Sequence, residues 1–268
     1  MSLLGNMHFA FNVWDFESAR AVIDAGAELS QDVIIQTSAS IFKRLPVCVF
    51  SDFVNDYSKY KGVNAWLNID HCKEKEILFM AIDSGWDIVM ADGSSFSLED
   101  NIRFTNDITS YAHKKGVLVE AEVGQVKGIE DDMDVRQAKI ASKKSIELFL
   151  SSTNVDFIAV AFGNAHGEYN VEPDLHYDLV EYTTTITDKP FVVHGGSGLS
   201  DEVLLKLINI KGVKKINIST DLKMAYKRGI ELGCTNWIQP INASHVIHDE
   251  IEKVAVAKMT LISGGFGR

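Results

Sequence analysis

One feature constrains this chain more than any other: short β-branched apolar runs alternate along its whole length with longer stretches whose apolar residues recur near every 3.6 positions. The short runs are His8–Asn12, Val33–Thr37, Val63–Asp70, Ile88–Asp92, Leu118–Glu122, Phe157–Ala161, Phe191–His194 and Lys215–Ile218. The spacing predicts helices over Glu17–Ala25, Lys73–Ser84, Leu98–His113, Gln137–Leu150 and Leu175–Thr187, with a last one over about 246–263. Several runs, VDFIAVA and PFVVH among them, are continuously apolar, as parallel strands must be when helices cover one face and a core fills the other. Eight such units in about 250 residues predict an α/β fold, a single-domain (β/α)8 TIM barrel over 1–268. An open doubly wound sheet is the alternative, but no Gly-x-Gly-x-x-Gly follows the first run.

Charge narrows the partners. Twenty-six Lys and Arg against 37 Asp and Glu leave a net charge of −11, which argues against nucleic acid or an anionic membrane surface. No apolar run approaches the roughly 20 residues needed to span a bilayer. Met1-Ser2-Leu3-Leu4-Gly5 lacks the basic flank and apolar core of a signal peptide. Cys48, Cys72 and Cys234 are odd in number and scattered, as in a reducing compartment, so the expected location is cytoplasmic. Ser97 and Ser200 read as helix N-caps followed by acids, and Gly116 as a helix stop. The segment 124–135, GQVKGIEDDMDV, has no useful periodicity and reads as a mobile loop on the functional rim.

The informative residues are those that end the apolar runs. Asp70-His71 closes the third, Asp92 the fourth and Glu122 the fifth; His166 follows the sixth and His194 closes the seventh. In a barrel these ends share one rim, so residues distant in sequence converge. Three histidines so placed form a metal-site pattern, because neutral imidazoles bind zinc well and three protein ligands leave a coordination position for substrate. A histidine taken alone reads more simply as a loop or capping residue. His8, His113, His176, His245 and His248 receive that simpler assignment, and Cys72 reads as a small buried residue rather than a fourth ligand. Two further segments look like phosphate grips. His194–Gly198, HGGSG, lets backbone approach a ligand while Ser197 offers a hydroxyl. Ile216–Thr220, INIST, runs into a helix start where backbone N–H groups and the Ser219 and Thr220 hydroxyls can hold an anion.

The motifs AFNV (Ala10–Val13), IQTS (Ile35–Ser38), IDHC (Ile69–Cys72), VMADGS (Val89–Ser94), VEAEVG (Val119–Gly124), AVAFGNAHG (Ala159–Gly167), VVHGGSG (Val192–Gly198) and INISTD (Ile216–Asp221) occur in that order. Together they resemble the class II, zinc-dependent ketose-bisphosphate aldolases, which include fructose- and tagatose-bisphosphate aldolases. The resemblance implies that His71, His166 and His194 bind catalytic zinc, with Asp92 and Glu122 supporting the site or holding the metal in an alternative position. It implies that Asp70 exchanges a proton with the hydroxyl at the cleaved bond and that Glu130 moves the carbon-bound proton. Ser38, Gly167, Gly195, Gly196, Ser197, Asn217, the main chain of Ile218, Ser219 and Thr220 would bind a phosphorylated sugar substrate, with a monovalent cation (Na+ or K+) beside its phosphate. A homo-oligomer, dimer or tetramer, is implied as well.

The implied reaction is reversible aldol cleavage of a ketose phosphate to dihydroxyacetone phosphate and an aldehyde. Ser219, in place of an acid common in the fructose-specific branch, favours the tagatose-like one. The C-terminal segment offers Lys253 and Lys258 but no arginine for a second phosphate. Alternatives are a deoxy-keto-gluconate phosphate aldolase of the same family, a metal-dependent hydrolase, and a non-catalytic sugar-phosphate binding barrel. A class I aldolase would need a lysine at a strand end, and Lys214-Lys215 sit at the opening end of the eighth run.

Overall fold

A computed structural model describes residues 3–130, 133–135, 139–167, 169, 173–233 and 239–265. Eight parallel strands close on themselves: β1 (His8–Asn12), β2 (Val33–Ser38), β3 (Ala65–Cys72), β4 (Ile88–Ala91), β5 (Leu118–Val123), β8 (Phe157–Val160), β10 (Phe191–Val193) and β11 (Val213–Ile218). Each pairs with the next in this order, and β11 returns to β1. The barrel expected from the alternation is therefore the fold. Around it lie α1 (Phe16–Leu29), α2 (Val47–Lys61), α3 (Lys75–Asp83), α4 (Leu98–Ala112), α5 (Lys143–Ser152), α6 (Tyr177–Ile186), α7 (Asp201–Ile208) and α8 (Thr220–Gly233). A long α9 (Pro240–Gly265) packs chiefly on α8 and α1. None of the described helices is long and apolar enough to cross a membrane.

The helix signals behave as their chemistry requires. Ser97 accepts from the Asp100 N–H at 3.1 Å, Ser200 accepts from the Val203 N–H at 3.3 Å, and Gly116 adopts φ 75° where its helix ends. The helix expected from Gln137 starts only at Lys143. Ser142 and Ser145 form a reciprocal capping box there, while Lys139 pairs with Gln125 instead.

Strand alternation sorts side chains into two environments. In β5, Val119, Ala121 and Val123 enter the apolar layer under the helices, whereas Glu120 and Glu122 point inward. Ala10, Ile34, Ile88, Phe157, Ala159 and Val192 fill one end of the barrel interior, backed by Trp66 and Leu118. Toward the C-terminal ends of the strands that filling becomes polar: Asn12, Gln36, Asn68, Asp70, Glu120, Glu122, His194, Lys215 and Asn217 are all buried. The barrel thus has an apolar floor and a polar upper storey.

The segment 124–135 departs from the featureless loop its composition suggests. It forms a hairpin of β6 (Lys127–Glu130) and β7 (Met133–Val135), and β6 pairs in parallel with the two-residue β9 (Ala165–His166). Its pairing partner lies some 40 residues away in the chain, so local periodicity could not reveal it.

Candidate active site

The site begins with a defect in β3. Neighbours on a regular strand face opposite sides, yet both Asp70 and His71 reach the mouth of the barrel. The β3–β4 register slips between Ile69 and Cys72, and His71 takes φ 46°, in the left-handed region. Such a conformation costs on the order of 1–3 kcal/mol for a residue with a side chain, and here it turns two consecutive side chains into one pocket. Cys72 returns to the apolar layer, where burial pushes its thiol up to about 12.

His71, His166 and His194 converge from three strands. Their ring centroids lie 4.9, 4.5 and 5.8 Å apart, and they supply ligand atoms all within 4.8 Å of one another. His71 Nδ1 sits 3.0 Å from Asp92 Oδ2, and His194 Nε2 sits 2.9 Å from Glu120 Oε1. Carboxylates only accept, so these nitrogens donate. The nitrogens left over, His71 Nε2 and His194 Nδ1, face each other at 2.7 Å, close enough to share a proton or to ligate one cation between them. The surroundings ask for one: burial pulls the His71 imidazole toward neutrality, but Asp70, Asp92 and Glu122 outweigh it and hold the group well above its ordinary value. The donor set therefore fits a divalent metal ion of the kind imidazole favours.

Asp92 and Glu122 both flank the cluster. Burial would raise the Asp92 carboxyl, but its bond to His71 and its contacts with Ser94 hold it far below the usual range. Burial does push the Glu122 carboxyl up. Its Oε1 accepts from the Val126 N–H at 3.3 Å, and its Oε2 lies 4.0 Å from His194 Nδ1 without a hydrogen bond. Asp70 is held by a collar of three amides. Asn12 donates to its Oδ2 at 2.9 Å, Gln36 to the same oxygen at 3.1 Å, and Asn217 to Oδ1 at 3.3 Å.

Besides Asn12 and Gln36 of that collar, three buried or half-buried participants escaped the sequence reading. Glu120 lies in mid-strand between His194 and Lys215, and Lys215 is wholly buried inside the barrel. The register shift between β10 and β11 brings it inward, where Val192 pairs with Lys215. Only the alternation of acids in VEAEV hinted at an inward-facing pair. Ion-paired beneath His194, Lys215 has no path to a substrate carbonyl and does not revive a Schiff-base mechanism. The third is Tyr169. Its hydroxyl accepts from the Ala165 N–H and donates to the Gly195 carbonyl, both at 2.9 Å, tying the loop of His166 to the loop after His194.

The two glycine-bearing loops lie side by side. Gly196 donates its N–H to Asn217 O at 3.0 Å, and a Cβ on it would meet Ile216 at 2.5 Å, so only glycine allows this approach. Ser197 differs from the expectation of a simple donor. Its Oγ accepts from the N–H groups of Ser219 (2.9 Å) and Asp221 (3.2 Å), capping the start of α8 and leaving only its own proton for a ligand. The buried Ser219 Oγ and Asn217 Oδ1 have no hydrogen-bond partner among the described residues. Gly167 and Gly195 take positive φ (90° and 66°), Ile218 is buried in β11, and Thr220 begins α8.

Beside Asn12 opens a cavity of about 310 Å³ lined by Ser38, Ser40, Lys43, Arg44 and Lys223. These cations, from the turn after β2 and from α8, were not singled out in the sequence. Lys253 and Lys258, the two C-terminal lysines, pair with Glu250 and Asp221. Glu130 ends β6, but its side chain lies outside the described residues.

Comparison with known proteins agrees with this geometry. The family model "Fructose-bisphosphate aldolase class-II" matches residues 6–265. A sulfofructosephosphate aldolase of Alkalicoccus urumqiensis is 31% identical over 224 residues, covering 83% of this chain and 78% of that protein. Among solved structures, the YdjI aldolase of Escherichia coli K12 superposes with a TM-score of 0.83 at 27% identity, over 97% of this chain and 93% of that one. A Coccidioides immitis protein assigned as a fructose-1,6-biphosphate aldolase reaches a TM-score of 0.89 at 22% identity, over 97% and 92%, and speaks for the fold.

Proposed function

Because the chain belongs to the class II fructose-bisphosphate aldolase family, an enzyme family of metal-dependent lyases acting on phosphorylated sugars, we propose that it is a zinc enzyme that reversibly cleaves a ketose 1-phosphate with an anionic far end to dihydroxyacetone phosphate and an aldehyde. The observation that carries this reading is the opposed pair of imidazole nitrogens beside a collared aspartate. Three imidazoles favour zinc over harder ions such as magnesium.

His71, His166 and His194 would hold the metal, which would supply Lewis-acid polarisation of the substrate carbonyl, a contribution of several kcal/mol to cleavage. The chain's own residues do the rest. Asp70, oriented by Asn12, Gln36 and Asn217, takes the hydroxyl proton as the carbon–carbon bond breaks. A positioned group of this kind contributes roughly 10²–10⁴-fold. Gly167, Gly195, Gly196, Ser197, Asn217, Ile218, Ser219 and Thr220 hold the phosphate half, with a monovalent cation alongside, so that binding energy remote from the reacting carbons positions them. Glu130, on the hairpin beside His166, returns a proton to carbon. Asp92 and Glu122 support the ligand cluster.

Ser38 and the cavity with Lys43, Arg44 and Lys223 support an anionic group on the departing aldehyde, either phosphate or, as in the Alkalicoccus relative's named substrate, sulfonate. The free thiols of Cys48 and Cys72 support a reducing, cytoplasmic setting; Cys234 lies outside the described residues.

The test is triose phosphate release from tagatose bisphosphate, fructose bisphosphate, sulfofructose phosphate and a deoxy-keto-gluconate phosphate, using zinc-replete and chelator-stripped protein. One of the first three is expected to be cleaved, with activity lost on stripping and restored by zinc. Asp70→Asn, with zinc still bound, is expected to lower kcat at least about 100-fold. Full activity in the stripped protein would refute the metal mechanism, and unchanged cleavage by Asp70→Asn would remove the assigned proton carrier.

A further inference from the structure

Beneath the histidines, three side chains from three strands form a buried line. Lys215 Nζ lies 2.7 Å from Glu120 Oε2, and Glu120 Oε1 lies 2.9 Å from His194 Nε2. Glu120 and Lys215 have no exposed side-chain surface, so neither can touch substrate. Burying an opposite pair costs several kcal/mol per ion before their attraction offsets it, and a well-packed apolar pair of similar volume often serves stability as well. The pair's position suggests what it does instead. Glu120 can only accept a hydrogen bond, so it obliges His194 to carry its proton on Nε2 and to present Nδ1 to the cluster. Glu120 could also act as a ligand itself, since Asp70, Glu120 and His194 form a second group whose ligand atoms lie within 4.8 Å of one another. Lys215 grips the other carboxylate oxygen of Glu120.

We infer that Glu120 and Lys215 act together as positioning residues for the metal: Glu120 fixes the tautomer and ring angle of His194, and Lys215 holds Glu120 out of the coordination sphere. Partners that orient a ligating histidine commonly govern metal affinity by 10–100-fold.

The inference rests on reading His71, His166 and His194 as the metal site, and the experiment separates the two. Zinc affinity is measured by competition with a chromophoric chelator for wild type, Lys215→Met, Lys215→Arg and the double variant E120Q/K215M. Visible spectra are then recorded for each chain loaded with cobalt(II). Affinity is expected to fall about 10–100-fold in the double variant and to stay within about threefold of wild type in Lys215→Arg, whose cation retains the grip. In Lys215→Met, the released carboxylate is expected to join the metal, and the intense tetrahedral cobalt bands should weaken. The double variant removes both charges at similar volume and decides the matter if Lys215→Met does not fold. Imidazole 15N shifts of the zinc-free wild-type chain, which need no variant, should show His194 protonated on Nε2. Wild type that takes up no zinc would overturn the metal-site reading and this inference with it. Wild type that binds zinc, with the double variant binding equally tightly or His194 protonated on Nδ1, would overturn this inference alone.

Discussion

Tyr169 shows how much one side chain outside any motif can hold. Its hydroxyl bridges the Ala165 N–H and the Gly195 carbonyl, so the strand carrying His166 and the loop leaving His194 move together. Tyr169→Phe removes both bonds and leaves a half-buried carbonyl and N–H without this partner; the unfolding free energy is expected to drop by about 1–3 kcal/mol, read from urea denaturation. Burial also pushes the Tyr169 phenol up from 10.0 to about 12. The unfolded chain releases this proton first, so the folded state's advantage is complete below pH 10 and fades as pH rises toward 12. The difference in stability between wild type and Tyr169→Phe should therefore shrink over that interval, and a constant difference would show that the phenol is not so held. Residues of this kind are what sequence reading misses. His71, His166 and His194 announce themselves by ending apolar runs, whereas Tyr169 sits in an irregular stretch. Lys215 reads as a surface lysine at a strand's start until a register shift turns it inward.

Among elements, the hairpin of β6 and β7 carries the most consequence. It brings Glu130 to the strand that bears His166, and it does so through Gly128, whose φ is 124°. A Cβ there would lie 2.1 Å from the His166 carbonyl oxygen, so Gly128→Ala must separate β6 from β9. On the proposed role of Glu130, two residues on, as the proton carrier, kcat is expected to fall about tenfold or more, a proton-transfer group displaced by an ångström or so being costly. Limited proteolysis within 124–135 should quicken. Unchanged turnover would mean that the pairing does not hold the proton carrier. The barrel strands were legible because they bury both faces, so that several read as continuous apolar runs and the rest keep an apolar outer face. The hairpin was not, because its order comes from a distant partner and from one glycine.

For the whole molecule, closure of eight strands on an apolar floor gathers the three proposed metal ligands from three separate βα units. An ion that holds them together binds the folded chain alone and stabilises it by mass action, about 4 kcal/mol when free zinc exceeds its dissociation constant 1,000-fold. Stripping the metal is expected to lower Tm on the order of 10 °C at this chain length, with recovery on adding zinc but not magnesium. Calorimetry that shows no shift would place the ion somewhere other than among these strands.

The sorting of the barrel interior into a greasy foundation and a hydrophilic deck has a practical consequence. Ala10, Ile34, Ile88, Phe157, Ala159 and Val192 form that foundation and touch none of the assigned ligands. The lining cations Lys43 and Arg44 sit on a connecting turn above it. On the proposed role of those cations in receiving the aldehyde end, exchanging that turn is expected to retune aldehyde preference, like a nozzle on a fixed engine, while the supports of the chain beneath stay as they are.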